Sequence, residues 1–147
     1  MKDNYVILDE IAYESGAYEI IINTHIGTFT GCTEPDEIDA KYPSIYHAAE
    51  ISLAKALRKY AEASISLLKH DIKILEGMIK QSCDFAHGHR DEIDNNPFRI
   101  MNGTLKQKKK ELKLWENRAE GLTKNIINRV AARDKIVAKY IEKDKEE

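Results

Sequence analysis

The chain has 147 residues, enough for one domain of ordinary size, and 42% of them are hydrophobic against 33% charged. That apolar share supports a packed core and excludes a wholly disordered chain, while 3 Pro and 7 Gly exclude low-complexity and fibrous compositions. The formal charge of −2 gives no global field to recruit a nucleic-acid polymer, and no apolar run approaches the roughly 20 residues that span a bilayer.

The first ten residues, MKDNYVILDE, carry Asp3, Asp9 and Glu10 and no small-residue cleavage site, so no secretory signal is expected. Cys32 and Cys83 lack C-x-x-C spacing and fit a reducing, cytoplasmic setting.

Residues 5–33 read as strands. YVILDEIAY is rich in β-formers, Ser15-Gly16 signals a turn, and AYEIIINT follows. A second turn or kink falls at Ile26-Gly27, and GTFTGCT reads as a third strand or a bulged continuation. Residues 34–43 (EPDEIDAKYP) read as a loop, and Pro43-Ser44 as a helix entrance. From Ile45 to Gln81 there is no Pro, which predicts one helix of roughly 37 residues, about 55 Å long. That exceeds the radius of gyration of about 15 Å for a compact domain of this size, so such a helix must protrude or pack against other chains. Residues 82–103 (SCDFAHGHRDEIDNNPFRIMNG) read as a connector, and Thr104 to Lys143 as a second long helix with a fraying acidic tail. The expected fold is α+β: a small N-terminal antiparallel sheet over 1–43, then a long antiparallel two-helix hairpin over 44–147, all one domain and oligomeric.

Charge is unevenly spread along these elements. Residues 1–46 hold 2 basic and 9 acidic side chains, and residues 104–143 hold 12 basic and 5 acidic. Mutual neutralisation and a basic ligand-facing surface both account for this.

Both helices follow a 3,4 spacing, the pattern of a coiled-coil-like pair. In the first it runs Ile51, Ala54, Arg58, Ala61, Ile65, Leu68, Ile72, Leu75, Ile79. In the second it runs Leu105, Lys108, Leu112, Trp115, Ala119, Leu122, Ile126, Arg129, Arg133, Ile136, Tyr140. With Ile79 near Leu105, Arg58 comes opposite residue 126 and Arg133 opposite residue 51, near His47. Three guanidiniums then share one part of an apolar seam, where desolvation and repulsion demand counter-anions. Glu50, Glu62 or Asp134 could supply them internally. So could an anionic ligand, since Arg suits bidentate recognition of carboxylate or phosphate. A second apolar stripe (Leu53, Leu57, Tyr60, Leu67, Ile74, Met78), with Ile127, Val130, Val137 and Ile141 on the other helix, requires further partners, and a homo-oligomer is expected.

Little in the sequence suggests catalysis. No G-x-S-x-G, H-E-x-x-H, phosphate-binding P-loop or dinucleotide fingerprint occurs. Cys83 and His87 could form a thiol–imidazole pair, but nothing local lowers the thiol pKa. His87 and His89 beside Asp84 and Asp91 match no zinc spacing, so neither metal nor cofactor is expected. In NNPFRIMNG (95–103), Phe98, Arg99 and Asn102 offer an aromatic, a cation and an amide, a set that can stack a base and pair a phosphate; equally, Phe98 and Met101 can staple the connector to the hairpin. Thr104, read as a helix start, adds anion-favouring N–H groups. The run KQKKK (106–110) spreads around a helix and reads as a solvated face.

A short sheet carrying T-H-I-G-T-F-T-G (24–31), an acidic loop and two long helices with inward arginines resembles the phage-encoded Thoeris anti-defence sponge proteins of the first family. The resemblance covers most of the chain as an architecture. It implies a non-enzymatic protein of the bacterial cytoplasm, during infection or lysogeny. Such a protein binds and holds cyclic ADP-ribose isomers, and in some members cyclic di- or trinucleotides, so that defence effectors are not triggered. It also implies oligomers from dimer to hexamer. Carried onto this sequence, Arg58, Arg129 and Arg133 would grip phosphates, Phe98 would stack on the base, and Arg99 and Asn102 would complete the pocket, from the same or a neighbouring chain. The competing expectation is a helical-hairpin interaction protein, a phage assembly or adaptor component, with its arginines paired internally and no small-molecule ligand.

Overall fold

The computed structural model of the chain describes residues 4–34, 45–88 and 96–146. Three strands, β1 (Tyr5–Ala12), β2 (Tyr18–Thr24) and β3 (Gly27–Thr33), form an antiparallel sheet in the order β1-β2-β3, and two long helices follow, α1 (Ile45–Gly88) and α2 (Asn96–Glu146). The expected α+β class is the one observed.

Glycine turns set the sheet. Gly16, at φ 95°, closes the first turn, where Tyr13 N donates to Ala17 O at 2.9 Å and Gly16 N donates to Tyr13 O at 3.0 Å. At the second turn the Thr24 hydroxyl accepts from Ile26 N and donates to Gly27 O at 2.8 Å, and Gly27 takes φ 142°. In the β1–β2 ladder the register shifts between Ile7 and Asp9, which leaves Leu8 as the extra residue of a bulge. Tyr18, Ile20, Ile22 and Thr24 pair with Thr33, Gly31, Phe29 and Gly27 and share one face of the sheet.

The helices run further than the sequence suggested. Residues 82–88 and 96–103, read as connector, are helical, so α1 ends at Gly88 and α2 starts at Asn96. The reason is local: 82–88 contains no Pro, and Asn96-Pro97 is a helix-starting pair, an N-cap-type residue followed by a proline whose missing N–H costs nothing in the first turn.

The span expected as one domain carries two compact units, Met1–Ala61 with Arg118–Glu147, and Glu62–Asn117. In the first unit, Ile20 and Ile22 of β2 are buried, as are Ile51, Ala54, Ala56, Leu57, Tyr60 and Ala61 of α1 and Leu122 of α2. Burying each large side chain contributes roughly 1.5–3 kcal/mol, so this interior is the main source of stability for the sheet on its helix. The sheet is held very close to α1: a Cβ placed on Gly31 would fall 1.8 Å from the Ser52 carbonyl oxygen. At the same crossing Ser52 Oγ donates to Tyr18 O at 3.0 Å and lies 2.7 Å from Thr33 Oγ1, itself 3.2 Å from Ala48 O. Two hydroxyl protons thus serve three buried contacts. Along the outer edge of β3, Lys55 Nζ donates to Cys32 O at 3.1 Å and Lys59 Nζ to Thr30 O at 2.7 Å. The buried Tyr60 is hydrogen-bonded to His25 Nδ1 at 2.9 Å and stacks on Phe29, with ring centroids 5.8 Å apart.

In the second unit Leu68 and Ile72 of α1 and Trp115 of α2 are buried with Ser64. Lys108–Asp71 and Lys109–Glu76 ion pairs, each at 3.3 Å, link the helices at the surface. The second apolar stripe of α1 has two fates: Leu57 and Tyr60 are buried within the first unit, whereas Leu67, Ile74 and Met78 stay 48–50% exposed.

Candidate functional site

Of the six residues singled out from the sequence, Arg58, Arg129 and Arg133 lie in the first unit. Arg129 is held from two sides. Its Nε donates to Asn125 Oδ1 at 2.7 Å, and its Nη1 makes an ion pair with Glu50 across the helix pair. Asn125 was not anticipated; its i, i+4 spacing to Arg129 on one helix face was the available signal. Glu50 is one of the internal counter-anions the sequence offered.

With Ile79 beside Leu105 the residue opposite Arg129 would be Lys55; the ion pair reaches instead to Glu50, five residues nearer the start of α1. Arg133 lies one turn beyond Arg129 on α2. The side chain of Arg133 is only 13% exposed, and its Nη2 is 3.5 Å from Asp134 Oδ1, whose own side chain is 62% exposed. His47 is half-buried, and its Nδ1 is buried with no hydrogen-bond partner among the described residues. Arg58, also half-buried, is eight residues along α1 from Glu50, about 12 Å at helical rise. Arg129 and Arg133 lie one turn apart on α2, with Glu50 paired to Arg129.

These residues offer two guanidiniums in half-buried surroundings, with one carboxylate paired to Arg129 across the helix pair and another beside Arg133. A guanidinium so withdrawn from water interacts strongly with any anion brought to it, because the local dielectric is well below that of bulk water. Chemically it can bind a phosphate or carboxylate.

The connector residues fare differently. Phe98 and Arg99 lie on the first turn of α2, their side chains outside the described residues, and Asn102 is exposed on the same helix. Thr104 is not a helix start: it is eight residues inside α2, and its hydroxyl donates to Ile100 O at 2.9 Å. The anion-binding N–H groups expected there are therefore spent within the helix. A groove of about 440 Å³ in the second unit is lined by Ile100, Gly103, Thr104, Gln107, Lys108 and Glu111. Asn102 does not line it, and its one cation among these residues, Lys108, already faces Asp71. The Lys run behaves as a solvated face, with Lys106, Lys109 and Lys110 exposed.

The side chains of Cys83, Asp84 and His87, together with His89 and Asp91, fall outside the described residues. Among those described, no group of three His, Cys, Asp or Glu side chains is placed to hold a metal ion, and no helix is long and apolar enough to cross a membrane. Comparison of the chain with protein-family models, with curated proteins and with solved structures finds no match in any of the three.

Proposed function

We propose that the chain is a non-catalytic binding protein that captures an anionic cyclic nucleotide, a cyclic ADP-ribose isomer or a cyclic di- or trinucleotide, and holds it intact. In an infected or lysogenic bacterial host, this would withhold the signal from a Thoeris-type effector. The observation that supports this most directly is the withdrawal of Arg133 from water, one turn from Arg129. A diphosphate is the ligand class that two neighbouring guanidiniums fit best. The resemblance of the sheet and arginine-bearing hairpin to the sponge family supplies the adenine-bearing ligand. Phe98, Arg99 and Asn102 would then close the pocket from a neighbouring chain of a homo-oligomer.

Nanomolar capture corresponds to about −12 kcal/mol. Charge-assisted hydrogen bonds at roughly 1.5–3 kcal/mol each and base stacking at roughly 1–3 reach that scale before the cost of association. A helix pair that is already folded reduces that cost by holding its arginines in place.

A second function draws support from a different observation. Arg129 is already neutralised by Glu50, and Leu67, Ile74 and Met78 are uncovered, which suits an oligomeric hairpin acting as an adaptor or assembly component without a small ligand.

Calorimetric titration of the purified protein with cyclic ADP-ribose isomers and cyclic trinucleotides, followed by heat release and chromatography of the ligand, separates the two. Tight binding with intact ligand recovered, lost at least 100-fold in Arg133→Ala while the far-UV CD spectrum is unchanged, supports capture. Absence of binding to every one of these ligands refutes capture and leaves the adaptor function. Recovery of degraded ligand refutes both, because the protein would then be an enzyme.

A further inference from the structure

The two edges of the sheet are not equivalent. On β3 the outward carbonyls of Thr30 and Cys32 are occupied by the ammonium groups of Lys59 and Lys55. On β1 the one described group that reaches the outer edge is the Asp9 carboxylate, which accepts from Glu10 N at 2.9 Å. Tyr13 N points toward β2, where it donates to Ala17 O. By alternation, and allowing for the bulge at Leu8, the amides of Tyr5, Ile7, Glu10 and Ala12 point away from the sheet. An edge strand with free N–H and C=O groups is a template for another strand.

The side chains along this edge add two features. Val6, Ile7 and Leu8 are 64%, 40% and 57% exposed, three consecutive apolar residues on an uncovered strand. Asp9 and Glu10 follow directly, both exposed, with Glu14 just beyond the strand. Asp9 Oδ1 accepts from Glu10 N, and none of the three carboxylates meets a cation among the described residues. Because Asp9 pairs with Ile21 and Glu10 with Ile20, the two acids stand on opposite faces of the sheet. A strand laid along β1 would therefore meet apolar contacts over one half and a negative charge on each face over the other. A second copy of β1 matches this poorly, since in-register pairing crowds the acids of both strands into one short ribbon.

We infer that the outer edge of β1 is a docking site for an extended peptide segment of another protein, one in which adjacent basic residues are flanked by β-branched apolar residues. Main-chain hydrogen bonds to Ile7 and Ala12 provide the pairing, and Asp9 with Glu10 provide the selection by charge. The proposal does not depend on the nucleotide-binding function.

The test uses the full chain and the capped peptide Thr-Val-Val-Lys-Lys-Val-Val-Thr, which reads the same in both directions, with a Glu-Glu version as its partner control. Binding is followed by NMR titration and amide hydrogen exchange. The expected result is slowed exchange at Ile7 and Ala12, with at least tenfold tighter binding of the Lys-Lys peptide at low salt. Ile7→Pro removes one outward N–H that the β2 ladder does not use, and D9K/E10K reverses the selecting charge on an exposed strand; CD melts establish that each folds. Loss of binding in either folded variant supports the docking site. Equal binding of both peptides, or protection confined to residues outside β1, overturns it. So does concentration-dependent protection of β1 without peptide, which would assign the edge to a second copy.

Discussion

Gly31 is the tightest point in the fold and gives the sharpest prediction. An added Cβ would sit 1.8 Å from Ser52 O, 2.8 Å from Ser52 C and 2.7 Å from Ala56 N, all backbone atoms of a packed helix. No rotamer change relieves a clash with backbone. Restoring ordinary contact at about 3.4 Å requires β3 and α1 to separate by about 1.6 Å. A gap of only 0.5–1 Å already forfeits roughly a quarter to a half of the dispersion well for atoms that face it. The atoms facing it here include Ile20, Ile22 and Ile51, all buried, and the Ser52–Thr33 and Ser52–Tyr18 hydrogen bonds cross the same gap. Gly31→Ala should therefore destabilise by about 3–5 kcal/mol, beyond the usual overpacking range of roughly 1–3, and lower Tm by about 10–15 °C. The control is Gly121→Ala, where an added Cβ meets nothing within 4 Å in mid-helix. It should stabilise by about 0.5–1 kcal/mol, since Ala forms helix better and has less freedom to lose. Urea denaturation followed by CD measures both. A Gly31→Ala protein within 0.5 kcal/mol of the parent would refute the close-approach argument.

Three further sets of outcomes are expected. Ser52→Ala, which leaves Tyr18 O and Thr33 Oγ1 short of a partner in a buried site, should cost about 1–3 kcal/mol, and a cycle with Thr33→Val should show coupling above about 0.5 kcal/mol. Glu50→Gln should change stability by less than about 1 kcal/mol, because the pair is partly exposed, yet tighten nucleotide binding several-fold by removing a competing carboxylate; weaker binding would contradict a phosphate role for Arg129. The Tyr13 hydroxyl donates to Glu19 at 2.9 Å, which raises its ionisation above the usual value of 10.0. The neutral phenol is the stabilised form, so this contribution is present below pH 10 and is lost as pH rises through the elevated pKa. Absorbance titration of Glu19→Gln should accordingly show one of the 7 tyrosines ionising at lower pH than in the parent.

Much of the fold was legible in the residues. The glycine at each sheet turn and the alternating apolar positions of β2 gave strand limits within one or two residues, and unbroken 3,4 spacing gave two helices. Pro97 misled because a proline within a polar stretch reads as a breaker, although after Asn96 it begins a helix. The arginines were legible as exceptions in an apolar seam, but their geometry was not. A hairpin register depends on the length and path of what joins the helices, and neither is written in the helical pattern. The closeness of β3 to α1 left only the faint sign of a glycine inside a strand at Gly31. Nothing in the sequence links Ser52, Thr33 and the Tyr18 carbonyl, because their meeting is a product of the packed crossing itself.

The lysines on β3 also set the valence of the sheet. A subunit with two open edges is a bifunctional monomer and can grow without limit, as fibres do. Here Lys55 and Lys59 act as a stopper on one side, so a single strand added at β1 ends the growth. The double variant K55A/K59A should convert the chain into a bifunctional unit. Light scattering would then report growing species where the parent stays finite, with hardly any change in melting temperature.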